Sequence, residues 1–349
     1  FKVIDDVAIA KPLVKYSIQI TDGERIGEFV ERAWQAATSG YPGPVHLSLP
    51  VDIMFSSFEE DAGRDERPWV RHQTRPQRAW PEPKRLTDIL NIVENSERPV
   101  IIGGHGIWWS HSEKSLAEVG EKLKIPIFNV PYHTKLLGED CSANMGLADF
   151  HQYHPSKMAI HEADTVIMIG GRLDNQMNFG NPPFILKDTK LICVNGSSEE
   201  LEYNFAADEI LLSHPAAFLD AMTSINRKWE NWFELQTERR KKWVEDWENH
   251  LLKEEIEDSK SNRKMHPLQL GVDIISEMND EDWLVFDGGN THFWNEIAVN
   301  ISGWRGKKLG GIMHPGNYSL LGVGISFGIS AKAAYPCLLY TSPSPRDNR

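Results

Sequence analysis

A glycine-rich turn at residues 287–291 (DGGNT) separates a short apolar run from a pattern typical of a helix. Two consecutive glycines allow backbone N–H groups to approach an anion closely. The N-terminus of the following helix adds partial positive charge, and the Asn and Thr side chains add polar contacts. The turn therefore predicts a phosphate site, although the same residues also fit an ordinary turn in which Asn or Thr caps the helix.

A second segment, residues 315–336, is rich in small residues. Its glycines at 322, 324 and 328 and its serines at 326 and 330 leave a helix surface without bulk. Such a surface lets another group come close to the backbone. The segment therefore predicts either a ligand near this helix or tight packing of the helix on a sheet.

Two loops in the middle of the chain could face a nucleotide. They are residues 103–106 (GGHG) and 169–174 (IGGRLD), and each lies at the end of an apolar run typical of a buried strand. Ligands of open α/β sheets bind at the carboxyl ends of the strands, so both loops should border one crevice. The glycine spacing is not the full dinucleotide-binding fingerprint. His151 and His154 have no carboxylate or cysteine at metal-ligand spacing, so we expect them at the surface.

These motifs require an α/β scaffold. Short apolar strands alternate with amphipathic helices along residues 86–225, a pattern that predicts a parallel sheet with helices on both faces. A helix at 24–38 and a strand at 45–49 belong to an earlier α/β unit, and a third unit begins near residue 265. We therefore expect an α/β fold of three-layer, parallel-sheet domains, of which the central one is Rossmann-like.

The expected domain boundaries follow changes in composition. In order they are a first unit at 1–53, a charged and Pro-rich linker at 54–85, the central domain at 86–225, a helical connector at 226–264, a third unit at 265–336 and a tail at 337–349. Tryptophans three and four residues apart in the connector predict a helical stripe, and docking on the chain's own domains is favoured over binding of a partner. The tail resembles the translation of a short-read sequencing adapter, so we expect a fragment truncated at both ends.

The composition argues against several functions. The chain has 349 residues, a formal net charge of −13 and 3 cysteines. An acidic protein lacks the basic face that nucleic acids and anionic membranes require. No apolar run reaches the ~18–20 residues of a membrane span. Because the cysteines form no disulfide framework, we expect a cytoplasmic protein. From the charge and the apolar runs we expect neither nucleic acid nor membrane as a partner.

In this order and separation, the motifs resemble thiamine-diphosphate-dependent enzymes of the acetolactate synthase, 2-hydroxyacyl-CoA lyase and oxalyl-CoA decarboxylase type. Residues 41–50 (YPGPVHLSLP) resemble the end of the family's pyrimidine-binding domain, and 99–106 and 170–174 resemble its central domain. Residues 287–291 and 319–336 resemble the start of its pyrophosphate-binding domain. The likeness covers residues 1–336 and implies a carbon–carbon lyase, decarboxylase or carboligase for a small 2-oxo acid or 2-hydroxyacyl-CoA substrate.

The resemblance also implies roles for single residues. Gly289, Asn290 and Thr291 would contact the diphosphate of the cofactor. The carbonyl of Ser319 and the N–H of Leu321 would bond the pyrimidine edge, and the Leu321 side chain would support the bent cofactor where acetolactate synthases usually carry Met. The activating Glu and the Mg²⁺ motif are expected outside this chain. No catalytic residue or metal ligand is therefore assigned within it, the chain alone is expected to be inactive, and the complete protein is expected to be a homodimer or homotetramer.

The central domain leaves alternatives open. Six of its residues match positions that bind FAD in acetolactate synthases: Gly104, Gly106, Gly146, Gly170, Arg172 and Asp174. Asp149, Gln176 and Asn195 depart from that site, and residues 178–183 (NFGNPP) are more similar to the acyl-CoA branch, whose central domain takes ADP or the CoA nucleotide. We therefore expect a complete protein without flavin. The alternatives are a true acetolactate synthase with FAD and, outside the enzyme class, a non-catalytic nucleotide-binding module.

Overall fold

A six-stranded parallel sheet is the largest layer of this computed structural model. The structure describes residues 4–57, 78–130, 136–138, 140–150, 154–201, 204, 206–261, 265–316 and 319–335, with the backbone alone for 252–261. The tail at 337–349, His151 and most of the predicted linker lie outside these residues. The chain folds into two compact units, which are Phe1–Trp80 with Gly196–Glu199, and Pro81–Asn195 with Glu200–Arg349.

The first unit contains a small parallel sheet with helices. Its elements are α1 (Asp6–Ala10), β1 (Tyr16–Gln19), α2 (Ile26–Thr38), β2 (Val45–Ser48) and α3 (Val51–Phe55). Strands β1 and β2 pair in parallel, with Tyr16 opposite Val45. Helix α2 buries Phe29 and Ala33, two of the apolar residues whose spacing predicted it. The predicted helix and strand of this unit are therefore confirmed.

The second unit begins with the predicted Rossmann-like domain. Its elements are α4 (Pro83–Asn95), β3 (Pro99–Gly103), α5 (His105–Trp109), α6 (Glu113–Leu123), β4 (Ile127–Asn129), β5 (Asn144–Leu147), α7 (His154–Glu162), β6 (Thr165–Ile169), β7 (Lys190–Asn195), β8 (Glu209–Leu212) and α8 (Pro215–Met222). The strand order is β5-β4-β3-β6-β7-β8, and all neighbouring pairs are parallel. Every residue of β3 and β6 is buried. The predicted parallel sheet is confirmed.

The last three residues of the predicted linker at 54–85 are helical. Helix α4 begins at Pro83, where proline at the first helical position needs no hydrogen-bond partner for its nitrogen. The Glu82 carboxylate accepts the N–H groups of Lys84 and Arg85, both at 3.1 Å, and so caps the helix. The helix therefore starts three residues before the expected domain boundary, because a local cap and not composition sets its first turn.

The order of the strands places two loops side by side. Strands β4 and β5 follow β3 on one side of the sheet, whereas β6, β7 and β8 lie on its other side. Successive strands are therefore added toward one edge of the sheet from β3 to β5 and toward the other edge from β6 to β8, so the strand order reverses between β3 and β6. In such sheets the carboxyl ends of the strands at the reversal form the binding crevice, and the loops after β3 and β6 are the two predicted from sequence.

The rest of the second unit consists of the connector and the third predicted α/β unit. Its elements are α9 (Glu230–Ser261), α10 (Pro267–Glu277), β9 (Trp283–Val285), α11 (Asn290–Trp304), β10 (Gly311–Met313) and α12 (Gly324–Ala334). Strands β9 and β10 pair in parallel, and α10 packs along α11. These elements lie in the same compact unit as the six-stranded sheet. In the part of the chain that the structure describes, no helix is both long and apolar enough to cross a membrane.

The aromatic stripe of the connector docks on the sheet domain. The indole N–H of Trp229 donates to the Ser96 carbonyl at 2.8 Å, and that of Trp232 donates to the Pro99 carbonyl at 3.0 Å. Both side chains are buried, as is Phe233. The docking interpretation of the stripe is therefore confirmed for these residues, which anchor the start of α9 beside β3.

Replacing Trp232 by Phe should lower the free energy of unfolding by about 1–3 kcal/mol, because the buried hydrogen bond to the Pro99 carbonyl is lost. Urea unfolding followed by circular dichroism measures the change. Trp109→Phe is the matched control, since Trp109 is 46% exposed and should cost less than about 0.5 kcal/mol. Equal effects of the two substitutions would contradict the assigned anchor.

Candidate functional site

The predicted phosphate turn connects β9 to α11. Gly289 stands at the N-cap of α11 with φ of +77°, a conformation that favours glycine, and it has no side chain to cap the helix. Gly289, Asn290 and Thr291 are exposed. The first N–H groups of a helix have no partner within the helix, and they carry its partial positive charge. The turn therefore presents an exposed anion-binding geometry.

The small-residue segment closes against this turn. The Asp287 carboxylate accepts the N–H of Gly322 at 2.9 Å and that of Gly324 at 2.5 Å. In the other direction, the Gly288 N–H donates to the Leu320 carbonyl at 3.1 Å. A Cβ at position 288 would lie 2.2 Å from the Ser319 carbonyl oxygen, so only glycine fits there. Two motifs that are about 30 residues apart in the sequence therefore form one site.

The site residues differ in whether their groups are free to contact a ligand or are already engaged within the protein. The Gly289 N–H donates to Ser319 Oγ at 2.9 Å, so a diphosphate contact at this amide would have to replace that bond. The Leu321 side chain is 76% exposed. Its Cδ2 atom lies 3.6 Å from the position of a Cβ on Gly289. An exposed apolar side chain thus stands directly beside the anion-binding turn.

The backbone of the closing segment is strained at one position. Ser319 has φ of +47°, which is uncommon for a residue other than glycine. Strained backbone of this kind concentrates at functional sites, where the surrounding contacts hold it in place. Here the hydroxyl bond to Gly289 and the packing against Gly288 hold it.

The glycines of the central crevice pack backbone against backbone. The Gly104 N–H donates to the Ile169 carbonyl at 2.9 Å, and the Gly106 N–H donates to the Gly170 carbonyl at 2.7 Å. A Cβ on Gly104 would lie 2.3 Å from Gly171 Cα, and one on Gly106 would lie 2.7 Å from Gly170 Cα. Close approach of the loops after β3 and β6 therefore accounts for these glycines without a ligand.

Carboxylates dominate the polar side chains around the loop after β6. Both carboxylate oxygens of Glu200 pair with the Arg172 guanidinium, and the Glu200 side chain is only 5% exposed. The Asp174 carboxylate accepts the Gln176 N–H at 3.0 Å. Burial raises the pKa of Asp174, and the nearby charge of Asp149, itself 2% exposed, raises that pKa further. The loop thus offers a neutralised arginine and two acidic groups.

Three further residues expected at this crevice occupy separate places. Gly146 lies within the edge strand β5, two strands from β3, with φ of +94°. Asn195 is buried at the end of β7, and Gln176 is buried after β6. The structure therefore brings together Gly104, Gly106 and Gly170, with Arg172 following directly, but places Gly146 at the edge of the sheet.

The raised pKa of Asp174 gives a pH dependence. A carboxyl whose pKa rises on folding contributes stability below its unfolded pKa, near 3.8, and this contribution is lost as pH rises through the folded value. Asp174→Asn keeps an oxygen for the Gln176 N–H but cannot ionise. We expect the variant to gain stability relative to the wild type between pH 4 and pH 7 in urea titrations. Asp188→Asn, at an exposed aspartate, is the control, and parallel curves for Asp174→Asn and wild type would contradict the assignment.

A polar cluster that the sequence did not predict lies behind the phosphate turn. His292 and Glu296 come from α11, and His314 follows β10. His292 Nε2 lies 3.2 Å from Glu296 Oε1, and the His292 and His314 ring centroids are 4.4 Å apart. Burial lowers the pKa of His314 to about 3, and the charges of His292 and His105 lower that pKa as well. The only sequence signal was the four-residue spacing of His292 and Glu296.

Comparisons with known proteins agree with this architecture. Residues 86–222 match the family model described as "Thiamine pyrophosphate enzyme, central domain". The acetolactate synthase large subunit of Lactococcus lactis subsp. lactis is 27% identical over 340 residues, which cover 96% of this chain and 55% of the relative. The 2-hydroxyacyl-CoA lyase of Oryza sativa subsp. japonica is 25% identical over 361 residues, covering 96% and 58%. The chain thus spans about half the length of these curated relatives.

A solved structure shows the same fold. Benzoylformate decarboxylase from Polynucleobacter necessarius aligns with a TM-score of 0.54 at 22% identity, over 64% of this chain and 41% of that one. The six-stranded parallel sheet with a reversal of strand order between β3 and β6 defines a Rossmann-like α/β architecture. Residues 86–222 therefore match the central domain of thiamine pyrophosphate enzymes, and the chain is similar over 96% of its length to an acetolactate synthase large subunit and a 2-hydroxyacyl-CoA lyase. The resemblance stated from the sequence is confirmed.

Proposed function

We propose that the complete protein is a thiamine-diphosphate-dependent lyase, decarboxylase or carboligase that acts on a 2-oxo acid or a 2-hydroxyacyl-CoA. The observation that carries this proposal is the union of the turn at 287–291 with the segment at 319–324 through the Asp287 carboxylate. The same two segments are the ones whose residues resemble the cofactor-binding positions of the family. Because the chain spans 55% of the Lactococcus relative, the activity is proposed for the longer protein.

The residues present fit the proposed cofactor. The exposed N-terminus of α11 suits a diphosphate, which Asn290 and Thr291 would hold with backbone and side-chain groups. The exposed Leu321 side chain beside Gly289 would give the cofactor an apolar contact. The Ser319 carbonyl and the Leu321 N–H would bond the pyrimidine edge. When bound, the cofactor supplies a carbanion for attack on a carbonyl and an electron sink.

Mg²⁺ belongs to the proposal through the resemblance, and we assign it no ligand in this chain. Asp287 is the carboxylate nearest in sequence to the turn, but both of its oxygens accept backbone N–H groups. Its geometry therefore suits it to bracing the turn. Mg²⁺ would accompany the diphosphate and would take its protein ligands from outside this chain.

Two substitutions in the longer protein distinguish residues that bind the cofactor from residues that position it for catalysis. Asn290→Ala should weaken thiamine diphosphate binding by about 1–3 kcal/mol, the scale of a hydrogen bond to a charged group. Leu321→Ala should lower kcat more than cofactor affinity, because near-attack placement contributes several kcal/mol to catalysis. Calorimetric titration and turnover of pyruvate or a 2-hydroxyacyl-CoA measure the two effects.

The matched control for Leu321→Ala is Leu270→Ala, at a leucine on α10 that is 48% exposed. It should change neither cofactor affinity nor kcat. If Asn290→Ala and Leu321→Ala altered only the stability of the fold, the assignment of both residues to the cofactor would be wrong.

The second candidate function is a true acetolactate synthase with FAD, and residues 178–183, which are more similar to the acyl-CoA branch, favour that branch instead. Glu200 neutralises Arg172, and Asp149 and Asp174 add negative charge. These charges oppose a flavin diphosphate in a partly buried crevice, but they oppose the diphosphate of ADP or CoA equally, so the choice of branch rests on residues 178–183. We therefore propose that the central domain is empty or binds ADP or the CoA nucleotide.

The complete protein should purify without colour, and ADP or CoA should raise its thermal midpoint. Absorption between 350 and 500 nm after dialysis, together with differential scanning fluorimetry, checks both statements. A bound flavin spectrum would instead identify an acetolactate synthase. A protein that bound ADP but no thiamine diphosphate would favour the non-catalytic nucleotide-binding module.

The partners and location that we propose follow from the same chemistry. A small-molecule substrate and a homodimer or homotetramer fit an enzyme of this family. Cys141 and Cys193 are buried thiols outside any disulfide, which fits a reducing, cytoplasmic compartment. Size-exclusion chromatography with light scattering tests the oligomer.

A further inference from the structure

The group formed by His292, Glu296 and His314 has a donor set that the proposed cofactor chemistry does not use. The ligand atoms of these three side chains all lie within 4.8 Å of one another. His292 and Glu296 are buried, and His314 is half-buried. We propose that this group is a binding site for a divalent transition metal of the Zn²⁺ type, which ties the start of α11 to the end of β10.

The spacing of the donors fits such an ion. Zn²⁺ binds imidazole nitrogen and carboxylate oxygen at about 2.0–2.2 Å, so neighbouring ligands of a tetrahedral site stand about 3.3–3.5 Å apart. The distance from His292 Nε2 to Glu296 Oε1 is 3.2 Å, which already matches. The third donor needs to move by about 1.5 Å or less to complete the set. The i, i+4 spacing on α11 keeps the first two donors on one face of the helix.

The donor types are also selective. Two imidazoles and one carboxylate form the ligand set of several three-ligand zinc sites, with the fourth position left to water. Imidazole nitrogen favours Zn²⁺, Co²⁺ and Ni²⁺ over Mg²⁺ and Ca²⁺, which take oxygen ligands. The single carboxylate supplies one negative charge against the two positive charges of the ion. The site therefore differs in class from the Mg²⁺ that accompanies a diphosphate.

One hydrogen bond has to be exchanged when a metal binds. His314 Nδ1 accepts the N–H of Gly316 at 3.0 Å. Coordination through Nδ1 replaces this N–H with the metal, and coordination through Nε2 requires the ring proton to move to Nδ1. Either route breaks the bond between the Gly316 N–H and His314 Nδ1. Gly316 has φ of +59° and open space around its Cβ position. The segment therefore has room to adjust.

Metal uptake by the 349-residue chain, produced without a polyhistidine tag and stripped with chelator, tests the proposal. Co²⁺ is the optical probe, because a four-coordinate site gives strong visible absorption bands, and Zn²⁺ is the probe for stoichiometry and thermal stability. We expect one ion per chain, displacement of Co²⁺ by Zn²⁺, and a higher thermal midpoint with Zn²⁺. Excess Mg²⁺ should displace neither ion.

The variants His314→Asn and Glu296→Gln should each weaken binding by more than about 10-fold, because even changes outside the ligand shell cost about 10–100-fold at zinc sites. His111→Asn is the matched control, since His111 is exposed and its φ of +52° suits asparagine. This variant should bind as the wild type does. Circular dichroism without metal shows which variants fold, and Glu296→Gln keeps the result interpretable if His314→Asn does not.

Failure of the wild type to take up Co²⁺ or Zn²⁺ would overturn the proposal and leave the three side chains as a cluster of polar groups behind the turn. Undiminished uptake by folded Glu296→Gln or His314→Asn would overturn it equally, because the ion would then be bound elsewhere. Since these readouts need neither thiamine diphosphate nor turnover, they stand independently of the proposed function.

Discussion

The Asp287 carboxylate is the contact on which the candidate site depends. It accepts two backbone N–H groups from the segment at 322–324 and thereby fixes that segment against the turn after β9. A carboxylate that accepts two amide N–H groups forms charge-assisted bonds, which are about twice as strong as neutral ones. Together with the bonds from Gly288 to Leu320 and from Gly289 to Ser319, it holds Leu321 beside the N-terminus of α11. The geometry of the site is therefore set by a residue that need not touch a ligand.

The three groups of elements in the second unit serve different purposes. The six-stranded sheet supplies the buried apolar mass, and the indoles of Trp229 and Trp232 attach the long connector to it. Helices α10 and α11 then pack along each other and hold the turn at the N-terminus of α11. The proposed cofactor site and the proposed nucleotide crevice therefore lie on separate elements of one compact unit.

Much of the fold was predictable because its strands are buried on both faces. β3, β6 and β7 are the short, largely apolar runs that the alternating pattern along residues 86–225 predicted as strands. Strand β5 was missed because Asn144 and Gly146 interrupt its apolar pattern, and it is held by its neighbours rather than by propensity. The phosphate turn and its helix were predictable from local chemistry, but the bonds that join the turn to residues 319–324 were not, since they link segments more than 30 residues apart. For the same reason, the sequence did not predict that His314 lies close to His292 and Glu296 on α11.

The contact between the glycine loops after β3 and β6 separates the shape of the crevice from its selectivity. Because Gly104 lies against Gly171 and Gly106 lies against Gly170, backbone atoms alone set the spacing of the crevice walls. Side chains that border the crevice, such as Arg172 and Glu200, can then change in charge without moving those walls. The walls can therefore carry different side chains without a change of spacing, whereas a side chain introduced at Gly104 or Gly106 would clash with the opposing backbone and force the two loops apart.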